Sequence, residues 1–220
     1  MTRIAIMQSY FLPYPGYFRL MCDVDAFVLI NSVQFPRRGW VHRNRLRDDV
    51  GRLGWFTLPL AHMPTATTIS NIKYGTGAGS ILLKASRRFA ACRTPRDHTA
   101  ELVERALRID ATPIVTIEAL LRATAAILGL AVPFIRDTDL RIPSDLAGPD
   151  RIFAICEALG ANVYINPPGG RYLYDPTEFL QRGLKLEFLS QYQGDPASIL
   201  QRLHDSTPTY ICAEIRANLT

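Results

Sequence analysis

The sequence predicts an α/β fold, with helices packed on a mostly parallel sheet. Short uncharged apolar runs recur along the chain, and such runs are typical of strands that are buried on both faces. In the second half of the chain these runs alternate with helical patterns, which is the order expected of parallel strands joined by helices. A length of 220 residues is sufficient for one sizeable core, so we expect a single domain over 1–220.

The first predicted element is a central strand, because the run 4–7 is apolar and uncharged. Pro13, Pro15 and Gly16 then end the strand and require a turn, and a short helix is expected over 18–24. Ligands of α/β proteins bind at the carboxyl ends of strands, so this turn is a candidate site. Alternatively, its tyrosines simply cap the core with their hydroxyls in water. The side chains of the turn that are expected to contact a ligand are Gln8, Tyr10, Tyr14 and Tyr17.

The second uncharged run, 26–30, predicts another buried strand, and it leads into the segment 31–46. This segment holds the densest set of functional side chains in the chain. Because it also follows a buried strand, we expect it to lie beside the first turn at one edge of the sheet. Its candidate site residues are Gln34, Arg38, Trp40, His42, Arg43 and Asn44.

The middle of the chain predicts two more strands and then helices. Run 55–60 predicts a third strand, in which Pro59 indicates either an edge of the sheet or the end of the strand, and 69–74 predicts a fourth. A helical segment follows over 81–128, with Pro113 at the first helical position of its last helix. We expect this segment to be an insertion that covers the sheet and carries no chemistry.

The last third of the chain predicts a βαβ pattern that ends in a weakly patterned tail, 193–220, which is expected to be peripheral. The predicted elements are a strand at 132–135, a helix at 148–160, a strand at 163–165, a helix at 176–182 and a strand at 184–189.

A third loop with polar content follows the strand at 163–165. Its glycines allow a ligand to approach the backbone closely, although a plain Pro-Gly turn explains them equally well. The residues of this loop that are expected to bind substrate are Asn166, Gly169, Gly170, Arg171 and Tyr174.

Composition excludes some classes of protein. No apolar run reaches the ~18 residues of a membrane span, and the absence of a signal-peptide pattern predicts a cytoplasmic protein. Four cysteines lack the spacing of a zinc motif, so no metal site is expected.

The formal charge is +5, and the basic stretch over 37–52 could bind the phosphates of a nucleic acid or of one small molecule. The pattern does not specify an oligomeric state.

Four segments of the chain resemble the WbqC-like protein family. They are IAIMQSYFLPYPGYF at 4–18, VQFPRRGWVHRNR at 33–45, WFTLP at 55–59 and ICEALGANVYINPPGGRYLY at 155–174. The chain departs from the family pattern at Ser9, at Asn31-Ser32, where the family tends to have two aspartates, and past Asp195. The departure at Asn31-Ser32 leaves open any metal or base role of that family position.

The resemblance implies a transferase or ligase that attaches an amino acid, such as glycine, to a small amine or amino sugar in polysaccharide (O-antigen) or natural-product biosynthesis. The carboxylate would be activated with ATP, or carried as an ester on an aminoacyl-tRNA or a carrier protein. In that mechanism the catalytic residues would be His42 and Arg43, with His42 as the general base; a hydrogen-bonded structural histidine is the equally open alternative for His42. Arg38, Arg43 and Arg45 would hold phosphates or a carboxylate. Gln8, Asn44 and Asn166 would orient polar groups beside the tyrosine wall.

Three alternatives stay open at this point. The first is a non-catalytic module that binds a nucleotide-sugar or RNA through the basic segment, with Trp40 and Phe35 for stacking. The second is a nucleotidyltransferase-like enzyme, because the first turn is similar to a first-loop phosphate motif in which histidines stand at the places of Tyr14 and Tyr17. The third is a structural partner protein, for which the three loops would not meet.

Overall fold

The computed structural model describes residues 1–219. Its strands are β1 (Arg3–Met7), β2 (Ala26–Leu29), β3 (Arg43–Arg47), β4 (Leu53–Thr57), β5 (Phe134–Arg136), β6 (Val163–Asn166) and β7 (Lys185–Phe188). Its helices are α1 (Pro15–Phe18), α2 (Ala78–Ser86), α3 (Ala90–Arg93), α4 (Asp97–Leu107), α5 (Pro113–Ile127), α6 (Gly148–Ala158), α7 (Pro176–Gln181), α8 (Ile199–Asp205) and α9 (Pro208–Ala217). Short 3-10 turns are formed by Arg19–Met21, Ile69–Asn71, Asp137–Asp139 and Pro168–Tyr172.

Five of the strands form one parallel sheet in the order β5-β2-β1-β6-β7. The predicted α/β class with a mostly parallel sheet is therefore confirmed. The chain proceeds from β1 to β2 and β5 on one side and returns to β6 and β7 on the other. The strand order consequently reverses between β1 and β6, which is the position where open α/β sheets bind ligands.

Alternating residues of the central strands enter two different cores. Ala5, Phe27 and Leu29 face the larger core, which also contains the hairpin and most of the helices. Ile4 and Val28 face the smaller core, where α6 and α7 pack. This period of two explains why residues 4–6 of β1 and all of β2 are uncharged, since both faces of these segments are buried.

Two strand predictions change in the structure. The run predicted over 55–60 is β4, which pairs only with β3 in an antiparallel hairpin outside the main sheet. The Asp48 carboxylate accepts hydrogen bonds from the backbone of Val50 and Arg52, and Gly51 adopts a φ of 79°, so the turn chemistry favours a hairpin. The run predicted over 69–74 begins as the 3-10 turn Ile69–Asn71 instead.

The helical segment predicted over 81–128 is confirmed, since α2, α3, α4 and α5 occupy it. The interpretation of 193–220 as a peripheral tail is wrong for the part that the structure describes. Helices α8 and α9 bury Ile199, Leu203 and Ile211 completely in the larger core. Ser198 and Thr207 cap these helices through their hydroxyls, a signal that the sequence carries. Among residues 1–219, no helix has both the length and the apolar character that a membrane span requires.

Candidate functional site

A cavity of about 480 Å³ lies at the carboxyl edge of the sheet, between the ends of β1 and β6. Its position is the switch point of the strand order, and its volume is in the range of small-molecule sites. We call it the aromatic cavity. Its lining residues are Met7, Tyr10, Pro13, Tyr14, Gly16, Tyr17, Leu20, Trp40, Asn44, Pro167, Gln191, Tyr192, Gly194 and Pro196.

Residues from four parts of the chain meet in this lining. The first turn supplies Tyr10, Tyr14 and Tyr17, the second segment supplies Trp40 and Asn44, and the third loop supplies only Pro167. The fourth part, 191–196, comes after β7 and was not among the segments expected at the site. A usable signal was present, because 191–196 follows the end of a parallel strand just as the other loops do.

Close packing of aromatic rings shapes the wall. The rings of Tyr14 and Tyr192 meet edge to face with their centroids 5.4 Å apart, and those of Tyr10 and Tyr17 lie at 5.5 Å. A Cβ at Gly16 would overlap the Tyr14 ring and approach the Tyr192 ring to 2.9 Å. Gly16 is therefore required for this wall, since any larger residue would displace both tyrosines.

Two tyrosine hydroxyls in the cavity are free to bind a ligand. The hydroxyl of Tyr17 donates to the carbonyl of Gln8 at 2.8 Å, and that of Tyr192 bonds the Glu214 carboxylate. By contrast, the hydroxyls of Tyr10 and Tyr14 bond no protein group among residues 1–219, although both residues line the cavity.

The four tyrosines remain protonated at neutral pH. Burial raises the pKa of Tyr10, with a further increase from the nearby Tyr14. Burial also raises the pKa of Tyr14, and the positive charge of Arg19 opposes this increase in part. The pKa of the fully enclosed Tyr17 is raised well above its usual value, and burial with the Glu214 charge raises that of Tyr192. Tyr10 and Tyr14 are thus available as neutral hydrogen-bond donors.

The loop that carries the tyrosines is held in a strained conformation. Leu12 has a φ of 47°, and it is buried; a positive φ is unfavourable for a branched side chain. Its carbonyl accepts hydrogen bonds from Asn44 Nδ2 at 2.7 Å and from Ser198 Oγ at 2.8 Å. Asn44 also donates to the carbonyl of Phe11. Asn44 was expected to orient polar groups of the substrate. Its amide nitrogen instead fixes the loop.

Arg19 lies behind the wall. Its residue is 2% exposed, and its guanidinium carbon is 5.8 Å from the centre of the Tyr192 ring. Nη2 donates to the carbonyl and hydroxyl oxygens of Ser190 at 2.8 and 3.1 Å, whereas the buried Nε has no partner. Burial lowers the pKa of Arg19, but a guanidinium remains charged in proteins.

The expected catalytic residues His42 and Arg43 lie outside the cavity lining. The His42 ring packs against Phe35 with centroids 5.2 Å apart, and its buried Nδ1 has no partner among residues 1–219. Burial, together with the charge of Arg43, lowers the pKa of His42 to about 4. Arg43 donates to the carbonyls of Gly39 and Arg38 and lies over the Trp55 ring at 4.2 Å.

The remaining predicted residues do not line the cavity. Arg38 is exposed, Gln8 offers its backbone carbonyl to Tyr17, and Gln34 donates to the carbonyl of Thr65. Asn166 is buried and donates to the hydroxyl of Tyr164.

In the third loop, Gly169 is exposed and Gly170 packs on the amide of Asn166. The guanidinium of Arg171 lies over the Phe188 ring at 4.8 Å. Tyr174 packs against the smaller core, on the face of the sheet opposite to the cavity. Only Pro167 of this loop reaches the lining, because the chain turns into the 3-10 turn Pro168–Tyr172 immediately after it.

A buried polar network surrounds the end of β2. Asn31 Nδ2 donates to Glu118 Oε1 at 2.9 Å, and the Asn31 backbone N–H donates to Asp137 Oδ1. Ser32 bonds the same Asp137 carboxylate, which Arg151 approaches at 3.6 Å. Asn31 and Ser32 thus serve as hydrogen-bond partners of existing buried carboxylates. Within residues 1–219, no group of three or more metal-ligating side chains comes together.

Comparison with known proteins gives two findings. The sequence model of the WbqC-like protein family matches residues 8–196. The chain is also 25% identical over 211 residues to the uncharacterized protein Rv1507c of Mycobacterium tuberculosis, an alignment that covers 88% of this chain and 84% of that protein. No solved structure matches the chain significantly.

Proposed function

Because the chain belongs to the WbqC-like protein family, we propose that it is an enzyme that forms an amide bond between an amino acid, such as glycine, and a small amine or amino sugar. The pathway class is polysaccharide or natural-product biosynthesis. The observation that carries the proposal is the aromatic cavity, which lies at the switch point of the sheet and contains the unpartnered hydroxyls of Tyr10 and Tyr14.

The cavity supports positioning and charge stabilisation. In amide formation the amine nitrogen bonds to the acyl carbon, negative charge develops on the acyl oxygen, and the activating group and a proton leave. Tyr10 and Tyr14 are neutral donors in an enclosed site, and such donors stabilise a developing oxyanion most effectively when they are fixed in advance. The rigid rings around them hold the reacting groups together, which lowers the entropic part of the barrier.

His42 carries no proton transfer in this function. A general base must reach the proton that it removes, and the His42 ring packs on Phe35 outside the cavity lining. Either ATP, an aminoacyl-tRNA or an acyl carrier protein would supply the activation.

The test is a search for the amide product by mass spectrometry. The protein is incubated with glucosamine and, in parallel reactions, with glycine plus MgATP, with glycyl-tRNA or with a glycyl carrier protein. We expect N-glycylglucosamine from one donor. The double variant Tyr10→Phe/Tyr14→Phe should lower the rate about 10²-fold. Tyr172→Phe is the matched control, because Tyr172 is 95% exposed.

The absence of product from every donor, with the protein folded, contradicts the proposal for this substrate pair. Unchanged turnover in the double variant contradicts the assignment of the cavity.

A second candidate function has one specific observation in its favour. Trp40 and Trp55 are 41% and 37% exposed, and their rings lie 5.3 Å apart. The guanidinium groups of Arg43 and Arg45 lie over the Trp55 ring at 4.2 and 4.6 Å, and neither forms an ion pair with a carboxylate of residues 1–219. Exposed rings beside unpaired arginines suit the stacking of a nucleobase next to its phosphate.

Salt dependence separates the two candidates. Binding of an oligonucleotide to the hairpin would weaken steeply with salt, and Arg45→Gln would reduce the slope by about 1. Arg52→Gln is the control, because Arg52 pairs with Asp48 at 3.4 Å. A flat salt response would exclude the nucleic-acid function.

A further inference from the structure

Arg19 is a buried cation without a counter-ion in the chain. It is 2% exposed, its Nε is buried without a partner, and it forms no ion pair with any carboxylate of residues 1–219. The comparably buried Arg151 approaches the Asp137 carboxylate at 3.6 Å and donates to Ser32 Oγ at 2.8 Å. An uncompensated buried charge lowers stability, so Arg19 indicates a negative partner that comes from outside the chain.

The charge of Arg19 acts on the aromatic cavity. Its guanidinium lies against Tyr192, and the rings of Tyr192 and Tyr14 together form one wall of the cavity. No acidic or basic side chain is part of the lining. The Glu214 carboxylate, which bonds the Tyr192 hydroxyl from behind the wall, is paired with Arg202 at 2.7 Å, so its charge is already balanced. A charge that lies behind apolar groups acts more strongly than the same charge in water.

We propose that the aromatic cavity binds its ligand as a carboxylate, with the oxygens on the hydroxyls of Tyr10 and Tyr14 and the negative charge balanced by Arg19. This inference rests on the proposed function and narrows it, because the acyl substrate then enters as the free acid rather than as a neutral ester. Arg19 acts through the wall, so it is a positioning residue.

A carboxylate fits the site better than a phosphate. One guanidinium balances one negative charge, and a phosphate dianion would require further cations, which the lining does not supply. The two phenolic donors likewise match the two oxygens of a carboxylate.

The test measures ligand binding by isothermal titration calorimetry. It compares two probes that differ only in their terminal group, the acid N-acetylglycine and the neutral amide N-acetylglycinamide. We expect the wild-type protein to prefer the acid to the amide by about tenfold or more, as for hydrogen bonds to charged groups. Inorganic phosphate should compete only weakly with N-acetylglycine for the cavity. Arg19→Leu should remove the preference, and Arg19→Lys should retain part of it.

Thermal unfolding without ligand distinguishes the proposed role of Arg19 from a purely structural one. If Arg19 is an uncompensated charge, Arg19→Leu should keep or raise the Tm while the preference for the acid is lost. In the control Arg151→Leu, Asp137 loses its partner, so the Tm should fall while the preference among folded molecules is unchanged.

Equal binding of acid and amide by the wild-type protein overturns the proposal, as does an intact preference in Arg19→Leu. A phosphate that binds more tightly than the acid overturns the choice of carboxylate. Absence of an amide product would refute the proposed function alone, since the preference for the acid is measured by binding.

Discussion

The side-chain amide of Asn44 donates a hydrogen bond to the carbonyl of Leu12, which is the one non-glycine residue of 1–219 with a positive φ. The hairpin that contains Asn44 therefore holds the cavity loop in a conformation that the loop would not adopt alone. Two segments that are distant in the sequence become one unit at this contact.

Replacement of Asn44 by Ala should lower both stability and ligand binding. Two buried carbonyls, of Phe11 and Leu12, would lose a donor, so we expect a loss of about 2 kcal/mol in the free energy of unfolding. Urea unfolding measures this loss. Asn71→Ala is the control, because Asn71 is exposed. A loss no larger than that of the control would show that the loop keeps its conformation without Asn44.

Asn31→Asp, which introduces an acid that the family resemblance led us to expect here, should destabilise the protein. The substitution replaces the donor to Glu118 Oε1 with a like charge in a buried site, where Asp137 adds a second carboxylate. We expect a loss of about 2–4 kcal/mol at pH 7. The loss should shrink at pH 5, because protonation of the new carboxyl restores a donor. Equal stability at both pH values, or a gain at pH 7, would refute this account.

Uncharged runs made the strands predictable. Ile4 and Val28 belong to strands that are buried on both faces, and this burial accounts for the uncharged sequence around them. Because their turn follows the end of β1, Tyr10 and Tyr14 could also be placed at the carboxyl edge of the sheet.

The segment that carries Tyr192 also follows a parallel strand and was open to the same reasoning. The structural roles of Arg19 and Asn44 were not. Their roles depend on contacts between distant parts of the chain, such as that of Arg19 with Ser190, and local pattern carries no information on such contacts. Conversely, His42 and Arg43 have suitable chemistry and spacing, but neither lines the cavity, because the His42 ring packs on Phe35 and the Arg43 guanidinium lies over Trp55.

The depressed pKa of His42 should make stability depend on pH. The pKa is about 4 in the folded protein, against an ordinary value of 6.5, because the ring is buried near Arg43. Between these values the unfolded chain binds a proton that the folded protein does not. The free energy of unfolding therefore rises with pH across this window, and the contribution of His42 to stability disappears as the pH falls through it. Since the ring is partly exposed, solvent reduces the effect to about 1–2 kcal/mol.

Replacement of His42 by Phe should flatten the unfolding free energy across this window, as measured by urea titrations at several pH values. If His42 has only this structural role, the variant should also keep its activity per folded molecule. A loss of activity of ~10²-fold with an unchanged Tm would instead restore His42 as the general base.

The hydroxyls of Tyr14 and Tyr17 provide a matched pair of substitutions. Tyr17 bonds the carbonyl of Gln8, so Tyr17→Phe leaves a partly buried acceptor without its donor and should cost about 1 kcal/mol of stability. The hydroxyl of Tyr14 has no protein partner, so Tyr14→Phe should change stability by less than about 0.5 kcal/mol. Binding of N-acetylglycine should show the opposite order, because the hydroxyl of Tyr14 donates to the ligand in our proposal and that of Tyr17 does not. Tyr10→Phe should behave as Tyr14→Phe does. If Tyr14→Phe lowers the Tm as much as Tyr17→Phe and leaves binding intact, the Tyr14 hydroxyl is a structural group and the cavity holds its ligand by other contacts.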